Sequence, residues 1–479
     1  MPEITFGTDG IRGTAGEWPM DAAGALAIGQ GLGKYLRETG HDTPKVLIGR
    51  DTRISGDALT TALASGLLSY GVDVADGGIV PTAGVAFLTR AHTMDAGIVI
   101  SASHNPWTEN GIKVIGPQGF KLEDEVERAI ERCIAAAAHG SPSGILPGRL
   151  SHPTDWAEEY VAHLTAPFQH VSLGGVSIAL DCSNGAASRI APQCFERLGA
   201  APIVIAASPD GTNINNACGS EELRAGAGPL MAIQQTREPD MCAAFDGDAD
   251  RVALLDKRGN LLDGDHILYI LAKDLKGRGK LNRETVVTTQ MANRGLDHAL
   301  AAEGVAVVRT QVGDRYIIQE MRTQGYVLGG EQSGHVVIYD PEHTTGDGIY
   351  TALWMACLMV EQSAALHDLA APLKKFPQVI ASAQVSAKPD LNQTGSIADA
   401  RRALLEHLGA DAAINIRYSG TEPLVRVMIE GTLAHSIPQL AREALRLCRV
   451  VQAAAATPDG RIEVKDCATG ANLDPGALE

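Results

Sequence analysis

Positive charge is scarce in this 479-residue chain: 40 Lys and Arg stand against 57 Asp and Glu, a formal net charge of −17. That balance excludes nucleic acid and anionic membrane surfaces as expected partners, because both recruit basic proteins. Cysteine is sparse too. The eight cysteines contain no C-x-x-C pair, which argues for reduced structural thiols over a disulfide frame or a zinc site. The longest apolar run, Ala352 to Val360, is far short of the about 20 residues that cross a bilayer. The opening MPEITFGTDG lacks a basic stretch followed by an apolar core, so a cytoplasmic protein is expected. No G-x-x-x-x-G-K-[ST] and no G-x-S-x-G occur, which counts against a P-loop NTPase and an α/β-hydrolase.

What is present repeats. Lys45-Val-Leu-Ile-Gly49 leads to a polar loop, a helical stretch from Ala58 to Tyr70, Gly71, and a second apolar run, Val72 to Ala75. Val176 to Leu180 leads through Asp181-Cys-Ser-Asn-Gly185 and a helical stretch to Pro202–Ala206. Thr285 to Thr289 leads through Leu296–Ala302 to Val305–Arg309. Each block has the strand–loop–helix–strand form of a βαβ unit in a mostly parallel sheet. Three similarly built α/β domains are expected, followed after Phe376-Pro377 by a smaller α+β domain. Ala137 to Arg149 looks like a linker, and the tail from Cys467 to Glu479 looks frayed. Gly29-Gln-Gly-Leu-Gly33 falls inside a helical stretch and suits close packing better than a dinucleotide.

Four loops carry chemistry. In Phe245-Asp-Gly-Asp-Ala-Asp-Arg-Val252, three carboxylates at alternate positions would converge and repel unless a cation lies among them. Hard oxygen donors suit Mg²⁺ or Ca²⁺. An EF-hand fails, since Arg251 and Lys257 occupy the places of its Gly and Glu. Arg251 beside the triplet points to a metal next to a phosphate. In Gly329-Gly-Glu-Gln-Ser-Gly-His335, paired glycines allow close backbone approach, and Glu331, Ser333 and His335 suit sugar hydroxyls. In Arg417-Tyr-Ser-Gly-Thr-Glu-Pro-Leu-Val-Arg426, Ser419, Gly420 and Thr421 can present a concave set of N–H groups, with Arg417 and Arg426 as forked phosphate donors. Finally, Asp95-Ala-Gly-Ile-Val-Ile-Ser-Ala-Ser-His-Asn-Pro106 ends an apolar strand on two serines and a histidine. A serine carrying a phosphoryl group beside a carboxylate-bound cation would account for both loops. The residues alone leave Ser101 and Ser103 equally open. Lys113, in Asn110-Gly-Ile-Lys113, could stabilise the charge or donate a proton.

Together the loops resemble the α-D-phosphohexomutase family over nearly the whole chain. The motifs are FGTDGIRG at 6–13, GRDTR at 49–53, SASHNP at 101–106, DGDADR at 246–251, GEQSGH at 330–335 and RYSGTEP at 417–423. GEQSGH with VGDRYI at 312–317 is similar to the branch that acts on glucosamine phosphates. Branches acting on glucose or mannose phosphates usually carry another residue between Glu331 and Ser333, and remain the alternative. The resemblance implies an α/β fold of four domains around a central cleft, three related and one C-terminal α+β, at 1–155, 156–258, 259–374 and 375–479. It places the phosphoserine on Ser103, and Mg²⁺ on Ser103, Asp246, Asp248 and Asp250. Glu331 and Ser333, with Arg12 and Arg251, would bind substrate. Arg417, Ser419, Gly420, Thr421 and Arg426 would hold the phosphate not being transferred. His104, Lys113 and His335 are the candidates for proton transfer.

The implied reaction converts glucosamine 6-phosphate to glucosamine 1-phosphate, primed by a hexose 1,6-bisphosphate, toward the amino-sugar precursor of the bacterial cell wall. A small sugar phosphate is the expected partner, and the resemblance admits a homodimer. Two rivals predict otherwise. A phosphatase using Asp246 as nucleophile would release free phosphate, and a sugar-phosphate sensor would turn nothing over.

Overall fold

Four β-sheets organise the chain in the computed structural model, which describes residues 3–7, 9–40, 42–137, 144–419, 423–458, 460–468 and 470–478. The first sheet runs in the order Ile11–Thr14, Glu109–Ile115, Ala96–Ile100, Lys45–Arg50, Asp73–Ile79, Leu150–Ser151. Ala96–Ile100 is buried throughout, as expected of a strand with helices on both faces. In the second sheet, Ile178–Asp181 lies between Ile203–Ile205 and Met241–Phe245, parallel to both, and Val252–Asp256 follows antiparallel. In the third, Thr285–Thr289 lies between Ala306–Thr310 and Leu328–Gly330, again parallel, with Val336–Ile338 antiparallel at the edge. The first sheet repeats this unit with Lys45–Arg50 at its centre.

The expected threefold α/β pattern is therefore present, with one addition. After the third parallel strand the chain turns back on itself in a hairpin. In the three sheets the tips of those hairpins are residues 101–108, 246–251 and 331–335. Three of the four chemical loops thus occupy one topological position, the carboxyl end of a central strand, where open α/β sheets bind ligands.

The fourth sheet is wholly antiparallel: Ala413–Tyr418, Leu424–Glu430, Gln378–Gln384, Ile462–Asp466, Asn472–Leu473. Its helices Gly395–Leu408 and Ile437–Ala454 pack on one face around Val379, Val427 and Leu440. The expected fraying of the tail is wrong. Asn472–Leu473 pairs with Val464 and Lys465, and Leu473 and Leu478 pack on the core. A two-residue strand is too short to announce itself by periodicity. The expected linker falls partly on residues 138–143, outside the described residues.

Packing explains the helical glycines. A Cβ on Gly29 would lie 2.2 Å from the Leu63 carbonyl oxygen, and one on Gly66 would lie 2.4 Å from that of Leu26. The helices Ala22–Glu38 and Gly56–Ser69 cross backbone to backbone there, as the close-packing reading expects. All eight cysteines are free, seven of them buried.

The second and third sheets share one apolar core, which includes Phe195, Phe245, Leu268 and Leu353. The fourth sheet has a core of its own and meets the third through polar groups. Asn293 donates to the Phe376 carbonyl at 2.9 Å and accepts from its N–H at 2.8 Å. Lys375 pairs with Asp263 at 2.6 Å and with Asp265. Glu430, fully buried, accepts from the Arg294 N–H at 2.9 Å and from Gln378 Nε2 at 3.0 Å. Burial pushes its carboxyl up to about 7, against that N–H and the Arg309 and Lys375 charges and with the Asp265 charge. A carboxyl raised above its unfolded value contributes most at low pH and loses that contribution as pH rises through about 7. The full shift corresponds to ~3 kcal/mol. Thermal unfolding between pH 5.5 and 8 should therefore fall less steeply in Glu430→Gln than in the parent. Identical slopes would clear Glu430 of the effect.

Candidate active site

The strand Ala96–Ile100 delivers both serines, and hydrogen bonding separates them. Ser101 Oγ donates to Asp51 Oδ2 at 2.6 Å and accepts the Ser103 N–H at 2.9 Å. Its hydroxyl is spent on holding the loop. Ser103 Oγ instead reaches across to Asp246 Oδ2 at 2.6 Å. Ser103 is buried at φ +53°, a left-handed conformation that side-chain-bearing residues adopt only where the surroundings enforce it.

Arg53 provides that enforcement. Fully buried, it pairs with Asp51 through Nε at 2.8 Å. Its terminal nitrogens donate to the carbonyls of Ser103 at 2.9 Å, Asn105 at 2.8 Å and Glu109 at 3.0 Å, and also to Pro106. Asn215 adds donors to Ser103 O at 2.8 Å and Asn105 O at 3.0 Å. A Cβ on Gly247 would lie 2.5 Å from the Ser103 carbonyl oxygen, so only glycine lets the two loops meet.

Asp246, Asp248 and Asp250 converge as expected, each offering a carboxylate oxygen within 4.8 Å of the others, and all three are buried. They do so through a turn rather than an extended strand, with Ala249 at φ +57°. Asp248 Oδ1 and Asp250 Oδ1 are buried without a hydrogen-bond partner, a costly state for a carboxylate oxygen. Burial first, then repulsion from Asp250 and Asp248, raises the Asp246 pKa well above the carboxylate range. Partnerless oxygens and mutual repulsion are both relieved by a divalent cation. The donor set is all hard oxygen, so it fits Mg²⁺.

Around the acidic loop runs a chain of alternating charge that joins three sheets. Lys113 Nζ lies 2.9 Å from Asp248 and 3.2 Å from Asp9. Lys121 lies 2.6 Å from Asp9 and 2.7 Å from Asp314. His335 closes the circuit, with Nε2 3.8 Å from Asp314 and Nδ1 3.4 Å from Asp250. Burial alone would lower the pKa of Lys113, but the Asp248 and Asp9 charges drive it upward. Burial likewise opposes a charged His335, and the bond to Asp250 with the charges of Asp250 and Asp314 outweighs it. Both lie clamped between carboxylates that favour their charged forms. His104 differs. Its exposed ring lies with Nδ1 3.1 Å from Arg251 Nη1, and desolvation by its neighbours, then the Arg251 charge, lower its pKa.

Arg251 leans on Asp250 at 3.7 Å and on Glu221 at 3.8 Å. Arg12, on the edge strand Ile11–Thr14, pairs with Asp9 and approaches the Ala102 carbonyl at 3.5 Å. Glu331 Oε1 accepts the Gly313 N–H at 3.3 Å, and Ser333 Oγ has no hydrogen-bond partner. Arg417 and Arg426 face each other across neighbouring strands, and like charges placed so are destabilising. Burial, then the Arg426 charge, lowers the Arg417 pKa, and the Glu331 charge opposes them. Two arginines opposed across neighbouring strands form a positive patch that an anion would stabilise. Ser419 is buried, its carbonyl accepting from Lys388 at 2.9 Å. Gly420 and Thr421 lie outside the described residues.

The roles of Asp9, Asp51, Arg53 and Asp314 escaped the sequence reading, although FGTDGIRG, GRDTR and VGDRYI contain them. Thr82, which donates to Asp248 at 2.6 Å, and Lys121 left no local signal at all. Among the described residues no helix is long and apolar enough to cross a membrane.

Known proteins match this chain over most of its length. Phosphoglucomutase/phosphomannomutase alpha/beta/alpha domains I, II and III match residues 3–140, 158–259 and 263–376, and the C-terminal domain of that family matches 362–447. The phosphoglucosamine mutase of Clostridium beijerinckii is 45% identical over 448 residues, covering 92% of this chain and 98% of the relative. That of Pelobacter propionicus is 42% identical over 447 residues, covering 93% and 98%. A phosphoglucomutase/phosphomannomutase family protein from Burkholderia thailandensis superposes with TM-score 0.78 at 24% identity, over 95% of this chain and 98% of its own. Aspergillus fumigatus N-acetylphosphoglucosamine mutase, solved with GlcNAc-6P and magnesium, superposes with TM-score 0.65 at 17% identity, over 95% and 96%. With all four domains matched in order and curated relatives sharing more than two-fifths of its residues, the chain belongs to the phosphoglucomutase/phosphomannomutase family, the α-D-phosphohexomutases.

Proposed function

We propose that this protein interconverts glucosamine 6-phosphate and glucosamine 1-phosphate through a phosphorylated Ser103 and a 1,6-bisphosphate intermediate. The observation that carries it is the Ser103 hydroxyl, free of loop duties and 2.6 Å from a carboxylate of the metal loop. The sugar preference rests on the curated relatives, named phosphoglucosamine mutase at 42–45% identity.

Asp246, Asp248 and Asp250 would hold Mg²⁺ together with the phosphoryl oxygen of Ser103. When bound, the cation supplies charge neutralisation to the phosphoryl group. In the forward direction the sugar O1 attacks phosphorus, the Ser103 Oγ–P bond breaks, and the O1–P bond forms. The O1 proton must leave, and a proton must reach Ser103 Oγ. His104, kept neutral by desolvation and Arg251, suits the acceptor. Lys113, locked as a cation between Asp248 and Asp9, suits stabilisation of the migrating charge. His335, enclosed by Asp250 and Asp314, supports the metal loop instead of exchanging protons with substrate. Glu331 and Ser333 grip sugar hydroxyls while Arg417, Arg426 and Ser419 hold the far phosphate. After the bisphosphate turns over, its 6-phosphate returns to Ser103.

A substrate panel tests the reading. With Mg²⁺ and a trace of hexose 1,6-bisphosphate, the 6-phosphates of glucosamine, glucose and mannose are supplied and 1-phosphate formation is followed. A preference for glucosamine 6-phosphate of at least about tenfold in kcat/KM is expected. A preference for glucose or mannose phosphate would move the substrate to another branch of the family. Free phosphate without 1-phosphate would replace the mutase with a phosphatase.

A further inference from the structure

Between the two residues assigned to the sugar, Gln332 reaches toward the third and fourth units. Its Nε2 lies 3.1 Å from Asp265 Oδ2 and 3.1 Å from Gln378 Oε1. Gln378 is the first residue of its strand, reached directly from Pro377, where the chain enters the fourth sheet. Its own Nε2 donates to Glu430 Oε2 at 3.0 Å and to the Met291 carbonyl at 3.2 Å. Glu430 ends the strand Leu424–Glu430 that also carries Arg426.

The direction of the chain is imposed from one end. The Met291 carbonyl can only accept, so Gln378 turns its Nε2 toward Met291 and Glu430 and its oxygen toward Gln332. Asp265, fully buried, accepts from the Asn293 N–H at 3.0 Å and from Lys375, and is the second acceptor for Gln332. A side chain inside the GEQSGH loop is thereby tied both to the third unit and to the joint of the fourth. Among the described residues the third and fourth units keep separate apolar cores and are joined by many polar contacts, so directional bonds help set the geometry of the joint.

We propose that Gln332 is a positioning residue that sets the separation between the sugar grip of Glu331 and Ser333 and the phosphate grip of Arg417 and Ser419. This rests on the mutase reading above. A phosphosugar must engage both grips at once, and a bisphosphate turning over must stay held by one while it releases the other. Loosening the joint weakens binding and lets the intermediate escape.

The test uses the full-length protein with Gln332→Met, which keeps the side chain's length and removes both hydrogen bonds. Gln378→Met removes the same link from the opposite side, and the double variant completes the cycle. Expected are roughly three- to tenfold increases in KM for glucosamine 6-phosphate, as for one or two lost hydrogen bonds. The concentration of added glucose 1,6-bisphosphate needed for half-maximal rate should rise by a similar factor, while kcat at saturation of both falls by less than about threefold. The double variant should match the worse single one. A merely structural role would lower active enzyme without changing the bisphosphate requirement. Both single variants retaining the parental KM and bisphosphate requirement would overturn the proposal, as would full additivity in the double variant. If the parent protein turns over none of the hexose phosphates, the mutase reading falls and this one with it. An active parent with unaltered variants overturns this inference alone.

Discussion

Ser103→Ala is expected to cut mutase turnover by at least about 10³-fold, because the variant lacks the hydroxyl that stands 2.6 Å from Asp246 and would carry the phosphoryl group. Ser101 cannot substitute, since its Oγ is committed to Asp51 at 2.6 Å and to the Ser103 N–H at 2.9 Å. The fold should survive. Alanine occupies the same left-handed backbone that Ser103 already occupies, and the surrounding carbonyls remain bound by Arg53 and Asn215. The loss is one hydrogen bond to Asp246 at 2.6 Å, worth about 1 kcal/mol. Two measurements check this together. Incubation with hexose 1,6-bisphosphate should add one phosphoryl group to the parent and none to the variant in intact mass, while thermal unfolding of the two stays close. Retained turnover in the variant would remove the phosphoserine mechanism. Phosphorylation of the variant would move it to another residue.

Asp248→Asn carries the second large effect. Asp248 holds Lys113 at 2.9 Å and Thr82 at 2.6 Å through Oδ2, and Oδ1 has no partner. The amide keeps a hydrogen-bond acceptor and nearly the same shape but loses the negative charge a hard cation needs. Turnover should fall by about 10²-fold or more, and the Mg²⁺ concentration for half-maximal activity should rise at least about tenfold. A readout independent of turnover exists. Mg²⁺ at 100 times its dissociation constant should stabilise the parent by about 2.7 kcal/mol, and most of that gain should vanish in the variant. Lys113 keeps Asp9 at 3.2 Å, so the metal-free variant should remain folded. Equal Mg²⁺ stabilisation of both proteins would dissociate the acidic triplet from metal binding.

Much of the site was legible because its chemistry is local in sequence. Three aspartates spaced two apart announce a cation whatever the fold, since their repulsion depends on charge and proximity alone. The apolar run Ala96–Ile100 breaking into Ser, His and Asn announced a strand that ends on a working loop. The three βαβ blocks were readable because a strand buried on both faces is a continuous apolar run, and because glycine punctuates each return. The paired arginines at 417 and 426 were also visible, flanking a turn.

The remainder depends on distances that local pattern does not contain. Asp9, Lys121 and Asp314 complete the charge chain with Lys113 and His335, yet they sit in separate segments and look like ordinary surface charges one at a time. His335 looks like a sugar ligand in its own loop. Asp250 on one side and Asp314 on the other make it a buried bridge between carboxylates behind the acidic loop. Gln332 reads as part of the same loop's substrate face until Asp265 and Gln378 are seen to hold it.

By itself, then, the amino-acid sequence determined which groups this protein can use: a serine at the end of a buried strand, a carboxylate triplet, a glycine-rich polar loop and an arginine pair. These follow from charge, size and backbone preference, which act over a few residues. The tertiary structure decided which serine is free to react, because Ser101 is consumed by Asp51 and Ser103 is not. It also decided which cations are locked and which histidine stays neutral. Burial and long-range charge pairing set those states, and both arise only when the hairpin tips of the α/β sheets are brought together.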